Sequence, residues 1–132
     1  MSGVTINNDL TGTASATLDI NADSDDNGSG TLTLAGVDVS STNGILTISA
    51  ANIVLASSST LSSGTAATVI EATNGRTIGL GGTGELSMSV AELGFITSSS
   101  LTIGDATNGS INVAGVSAVS YTHLTLPTKS TV

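Results

Sequence analysis

The stretch SSTNGILTISA, residues 40–50, decides the fold. It opens on small polar residues, turns at Asn43-Gly44, and continues as an alternation that puts Leu46 and Ile48 on one face and Thr47 and Ser49 on the other. The same design recurs as EATNGRTIGLG at 71–81 and DATNGSINVAG at 105–115, and a fourth Asn-Gly pair stands at Asn27-Gly28. Asn and Gly both accept positive φ at low cost, so the pair is the strongest short turn signal between strands. The three Thr-Asn-Gly copies lie 31 and 34 residues apart, about twice the 16 residues between the first two Asn-Gly pairs. Recurrence on that scale predicts a repeat array with a fixed period.

Working outward, strand candidates fall at roughly eight-residue intervals: 4–6, 16–20, 31–34, 37–39, 45–48, 53–55, 68–70, 77–80, 85–88, 93–96, 101–103 and 111–113. Leu32 with Leu34, Ile53 with Leu55, Ile78 with Leu80, Leu86 with Met88, Leu101 with Ile103 and Ile111 with Val113 each place two apolar side chains on one face. No segment reads as a capped helix of 3.6 period, so the chain is expected to be all-β. Its 132 residues include only 2% aromatics and 9% charged residues, against 42 Ser and Thr. A sandwich core of this length normally holds several large rings. Burial by ranks of small aliphatics instead points to a parallel β-solenoid. With 39% apolar residues and a mean hydropathy of +0.37, disorder is disfavoured.

Ten acidic residues oppose only Arg76 and Lys129, for a net charge of -8. That balance argues against nucleic acid and anionic membrane surfaces as partners, since phosphates are bound by Lys and Arg in number. There is no cysteine, hence no disulfide or thiolate chemistry. No apolar run reaches the ~18 to 20 residues that span a bilayer, and no membrane insertion is expected. The N-terminus has neither the basic start nor the apolar stretch of a signal peptide.

One constellation has the spacing of a metal site. Asp23-Ser24-Asp25-Asp26-Asn27-Gly28 matches the front half of a calcium loop, in which oxygens at alternate positions converge on one cation. Asp23, Asp25 and Asn27 are therefore the candidate calcium ligands. The back half departs from the pattern, with Leu34 where a bidentate Glu belongs, and a solvated acidic turn is the competing reading. The glycines at 79, 81, 82 and 84 lack the Lys and helix of a phosphate loop and read as a bend. Glu85 and Glu92 could be imagined as a carboxylate pair for glycoside hydrolysis, but without aromatic or basic neighbours they read as exposed strand-edge charges. Asn27-Gly28-Ser29 and Asn108-Gly109-Ser110 fit the glycosylation acceptor pattern, which the turn explains first. No catalytic residue and no other cofactor is expected, and the chain is read as non-enzymatic.

The end of the chain breaks the pattern. Tyr121, His123, Pro127 and Lys129 are the sole examples of their residue types, all within the last twelve residues. The string VSYTHLTLPTKSTV, 119–132, resembles a translated sequencing-adapter tail. The expected division is a β-solenoid segment over 1–117 and a non-native or disordered tail over 118–132, in a gene fragment whose Met1 need not be a true start.

GTLTLAGVDVSS, GILTISAANIVLASSSTLSSG and the stretch from Arg76 to Gly115 resemble the β-strand repeat regions of bacterial surface adhesins similar to filamentous haemagglutinin. The resemblance covers roughly residues 30 to 116. It implies a right-handed parallel β-helix at the cell surface or outside the cell, serving as a structural stalk segment. Its partners would be neighbouring repeats of the same parent chain, together with surface or host glycans or proteins. The alternative is a surface-binding solenoid of ice-binding or phage-fibre type, for which only Thr11 with Thr13 and Thr31 with Thr33 have the Thr-x-Thr spacing.

Overall fold

The structure, a computed structural model, describes residues 3–115 together with Leu124–Thr125 and Ser130–Thr131. Its first nine strands run β1 (Gly3–Ile6), β2 (Leu10–Thr11), β3 (Leu18–Asn21), β4 (Thr31–Leu34), β5 (Asp38–Ser40), β6 (Leu46–Ala50), β7 (Asn52–Leu55), β8 (Thr60–Ser62) and β9 (Ala67–Ala72). After them come β10 (Ile78–Leu80), β11 (Leu86–Met88), the short helix α1 (Val90–Leu93), β12 (Ile96–Thr97), β13 (Ser100–Ile103), β14 (Ile111–Val113), β15 (Leu124–Thr125) and β16 (Ser130–Thr131). The protein is all-β, and every strand-to-strand ladder is parallel.

The first nine strands visit three sheets in strict rotation. Sheet A takes β1, β4 and β7; sheet B takes β2, β5, β8 and then β12; sheet C takes β3, β6, β9, β13 and β15. Each triplet forms a tier lying on the one before. Parallel pairing in register aligns like with like: Val4, Leu32 and Ile53 in sheet A, Leu10, Val39, Leu61 and Ile96 in sheet B, and Ile20, Ile48, Ile70 and Ile103 in sheet C. Apart from Leu10, which is exposed, these ranks build one continuous core. Of the expected inward residues, Leu32, Leu34, Leu46, Ile48, Ile53, Leu55, Ile78, Leu80, Leu86, Met88, Leu101, Ile103 and Ile111 are buried and Val113 is half-buried. Thr68 interrupts the rank of Leu46 and Leu101, and its buried hydroxyl donates to Ser63 Oγ at 2.8 Å, so the polar group keeps a partner.

Three expectations are corrected. The tiers have no fixed period: Gly3 pairs with Thr31, Thr31 with Asn52, and Leu61 with Ile96. The reason is that the corner segments differ in length and that the circuit from β8 to β12 holds an extra strand and a helix. Residues 93–96 are not one strand, because Val90–Leu93 is a helical turn with a capping box in which Ser89 Oγ accepts from Glu92 N and Glu92 Oε1 accepts from Ser89 N. Glu92 therefore lies on a helix rather than a strand edge. The bend expected at the glycines is present, and through it β10 and β11 are parallel neighbours joined by residues 81–85 alone, where such a connection ordinarily takes a dozen or more. The short path exists because the backbones of Gly79 and Gly84 touch, and a Cβ on either would overlap the other segment.

β10, β11, β14 and β16 form a fourth sheet, sheet D, in the order β11-β10-β14-β16. Beside β11 and α1 lies β7, and one side chain bridges each: Ser87 N donates to Asn52 Oδ1 at 2.9 Å, and Leu55 N donates to Glu92 Oε2 at 2.8 Å. Most of the expected tail at 118–132, including His123, lies outside the described residues. Its described parts pair in the ladders, Leu124 with Leu101 and Ser130 with Ile111. Backbone pairing is indifferent to side-chain identity, so a segment of foreign composition can still extend a ladder. No helix among the described residues is long and apolar enough to cross a membrane.

Candidate functional site

Three of the four Asn-Gly pairs gather at one corner, on the connections from sheet C onward: 22–30 after β3, 73–77 after β9 and 104–110 after β13. The fourth, Asn43-Gly44, sits on a different connection, between β5 and β6. Their backbones differ as well. Both residues of Asn74-Gly75 have positive φ, whereas in the first pair it is Asp26 and Gly28, and at the second Thr42 and Asn43. None of them closes a hairpin. The dipeptide marks a place where the chain must bend sharply, and the tier stacking decides which way.

Asp23 is the hub of the first turn. It is 1% exposed, and it accepts from Asn27 N at 3.2 Å, Gly28 N at 2.9 Å and the Thr73 hydroxyl. Burial pushes its pKa up, but the hydrogen bonds from Thr73, Gly28 and Asn27 outweigh it and hold the carboxyl below the usual range. The turn is thereby locked onto a second turn 50 residues away. Asp26 extends the contact: its carboxylate accepts from Asn74 N, and its carbonyl accepts from Asn74 Nδ2 at 2.9 Å. Arg76 Nη1 donates to Gly28 O at 2.7 Å and lies 3.9 Å from Glu85 Oε2.

Of the three candidate calcium ligands, all lie in this one turn, but each is already engaged. Asp23 is committed as described, Asp25 Oδ2 accepts from Asn27 Nδ2 at 2.8 Å, and Asn27 Oδ1 accepts from Ser29 N at 3.0 Å. The geometry accounts for the cluster as a hydrogen-bonded turn. Among the described residues no three acidic or imidazole side chains converge as a metal would require.

A second acidic group was not singled out in the sequence. Above the same corner lies a depression of about 240 Å3 lined by Asp26, Glu71, Thr73, Asn74, Asp105 and Thr107. Burial, then a hydrogen bond with Asp105, then the negative charges of Asp105 and Asp19 raise the Glu71 pKa. Asp105 is also penalised by burial, yet donors from Thr107, Asn108 and Glu71 win and lower it. Of the two carboxyls, Glu71 is therefore the one that keeps a proton to higher pH. The signal was present in the repeat itself, since EATNG and DATNG carry an acid at the same position.

The remaining candidates disperse. Glu92 is occupied by the Ser89 and Leu55 amides, while Glu85 Oε1 accepts from Thr77 N at 3.2 Å. Asn108, one of the two glycosylation candidates, is 1% exposed; Asn27 is exposed. Thr31 and Thr33 point outward from sheet A, but their register neighbours are Gly3 and Thr5 on one side and Asn52 and Val54 on the other. Thr11 belongs to sheet B. Set against known protein families, curated proteins and solved structures, the chain matches no family model, no curated protein and no solved structure.

Proposed function

We propose that the three sheets visited in rotation wrap as a right-handed parallel β-solenoid, and that this solenoid is a non-catalytic structural stalk segment of a large secreted or cell-surface adhesin. The observation that carries the reading is the in-register stacking of tiers, which puts apolar ranks inside and Thr, Ser and Asn outside without a terminus built into the pattern. Each tier contacts mainly its neighbours, so length can be added with little change in stability per tier. Right-handed winding is the near-universal sense of parallel crossovers, and the adhesin resemblance implies the same hand. Neighbouring repeats of the parent chain are the proposed partners, with surface glycans or proteins bound elsewhere along the stalk.

The ice-binding alternative needs a flat rank of paired threonines, and of the register neighbours of Thr31 and Thr33 only Thr5 is a threonine, so the pair is not repeated. Recovering the coding sequence on both sides tests the stalk reading. Further tiers of alternating aliphatic and hydroxyl residues behind an export signal are expected. Flanking catalytic domains with no further tiers would overturn it, and thermal hysteresis in the purified protein would favour the ice-binding solenoid.

A further inference from the structure

Four Asn-Gly pairs in one fold hold the local sequence constant while the surroundings change. Glycine's missing Cβ leaves its backbone nitrogen unusually free to reach the side-chain carbonyl carbon of the preceding asparagine. That approach requires the nitrogen to lose its proton, and a hydrogen-bonded amide resists both steps. Three pairs are protected in this way. Gly28 N donates to Asp23 Oδ2 at 2.9 Å, Gly44 N to Ser41 O at 3.3 Å, and Gly109 N to Arg76 O at 2.9 Å. Gly44 is also buried with its backbone against Ala16, and Asn108 is buried. Gly75 N, in contrast, donates to no acceptor among the described residues, and both Asn74 and Gly75 are exposed.

We propose that Asn74 is a site of spontaneous, non-enzymatic covalent modification, with its own side-chain amide and the Gly75 nitrogen as the reacting groups and water as the co-reactant. Hydroxide removes the Gly75 amide proton, and the nitrogen lone pair forms a bond to Asn74 Cγ. The side-chain nitrogen takes a proton from water and leaves as ammonia, so a cyclic imide is formed with no change of oxidation state. Water then opens the imide at either carbonyl, leaving aspartate or isoaspartate at position 74. The product loses the Asn74 Nδ2 bond to Asp26 O and places a new negative charge beside Asp26, in a depression already lined by Glu71 and Asp105. The reaction thus acts on the contact that locks two corner turns together.

The test is peptide mapping by mass spectrometry of the full chain, held in mildly alkaline buffer either folded or unfolded in urea. In the folded protein, position 74 is expected to convert about tenfold faster than positions 27, 43 and 108, the factor set by a protecting hydrogen bond of about 1.4 kcal/mol. In urea the four sites should converge to similar rates. A different leading site, equal rates in the folded protein, or no conversion at 74 while the unfolded chain reacts would overturn the proposal. Asn74→Asp, made directly, should lower the thermal midpoint at neutral pH more than Asn74→Gln does; equal midpoints would remove the structural consequence.

Discussion

Gly30 lies in ordinary φ space, yet a Cβ there would overlap the Ala22 carbonyl, because the chain enters β4 with its backbone pressed against the end of the previous tier. Gly12 makes a useful contrast, since its added Cβ would sit 3.4 Å from Ser41 Cα, an ordinary contact. Gly30→Ala is expected to cost more than about 3 kcal/mol, and Gly12→Ala under about 1 kcal/mol, measured by the denaturant midpoint. Equal costs would mean that the corner relaxes freely. Nothing in the local sequence distinguishes these two glycines, because what they meet is set by stacking between distant residues. Asp23 poses a similar problem. Its place in a calcium-like spacing was legible, whereas its burial under Thr73 was not. Since donors already satisfy the turn, calcium titration of the wild type is expected to release no heat at millimolar concentration. A one-site isotherm abolished by Asp23→Ala with Asp25→Ala would restore the cation reading.

At the scale of elements, the boundary between β7 and β11 depends on side chains. Glu92 uses one oxygen for the Ser89 amide at the start of α1 and the other for the Leu55 amide of β7, so a single carboxylate joins helix cap and strand. Glu92→Ala removes the cap and leaves a strand amide without its acceptor, at a cost of about 2 to 3 kcal/mol. Ser89→Ala, which weakens the cap alone, should cost about 1 kcal/mol. Native-state hydrogen exchange separates the two: the Leu55 amide should lose protection in the Glu92 variant and keep it in the Ser89 variant. Loss in both would place the seam's stability in the helix. The Ser89-x-x-Glu92 spacing is that of a capping box and went unread, because the segment is too short for helical periodicity and its apolar residues read as a strand. Where alternation was long enough to be unambiguous, as over Leu46–Ala50 or Thr31–Leu34, both the strand and its inward face were legible. Tier spacing was not, because the stretch 73–95 between β9 and β12 carries an extra strand and a helix within one circuit.

For the molecule as a whole, acidic charge sets the conditions of stability. The chain carries -8 at neutral pH with a sequence pI near 4.1, and its perturbed carboxyls pull in opposite directions. Asp23 and Asp105 have folded pKa values below their ordinary ones. Their contribution is present above the unfolded Asp value of about 3.9 and is lost as pH falls through the lowered folded values. Glu71 is the reverse case, its folded pKa being raised by burial and by Asp105 and Asp19. Its contribution is full below the unfolded Glu value of about 4.3 and is lost as pH rises through the higher folded value. General repulsion among ten acids with two basic partners adds to the loss on the alkaline side. The thermal midpoint is therefore expected to peak at about pH 4 to 5 and to decline toward neutrality. Glu71→Gln keeps a donor for Asp105 and removes the group that must ionise, so it should raise the midpoint at neutral pH and flatten that decline while leaving the acid limb unchanged. Scanning calorimetry across pH on the two proteins decides the matter: a wild-type midpoint that climbs steadily to neutrality, or a Glu71→Gln profile parallel to it, would show that the opposed shifts of Glu71 and Asp105 do not govern how the tiers hold together.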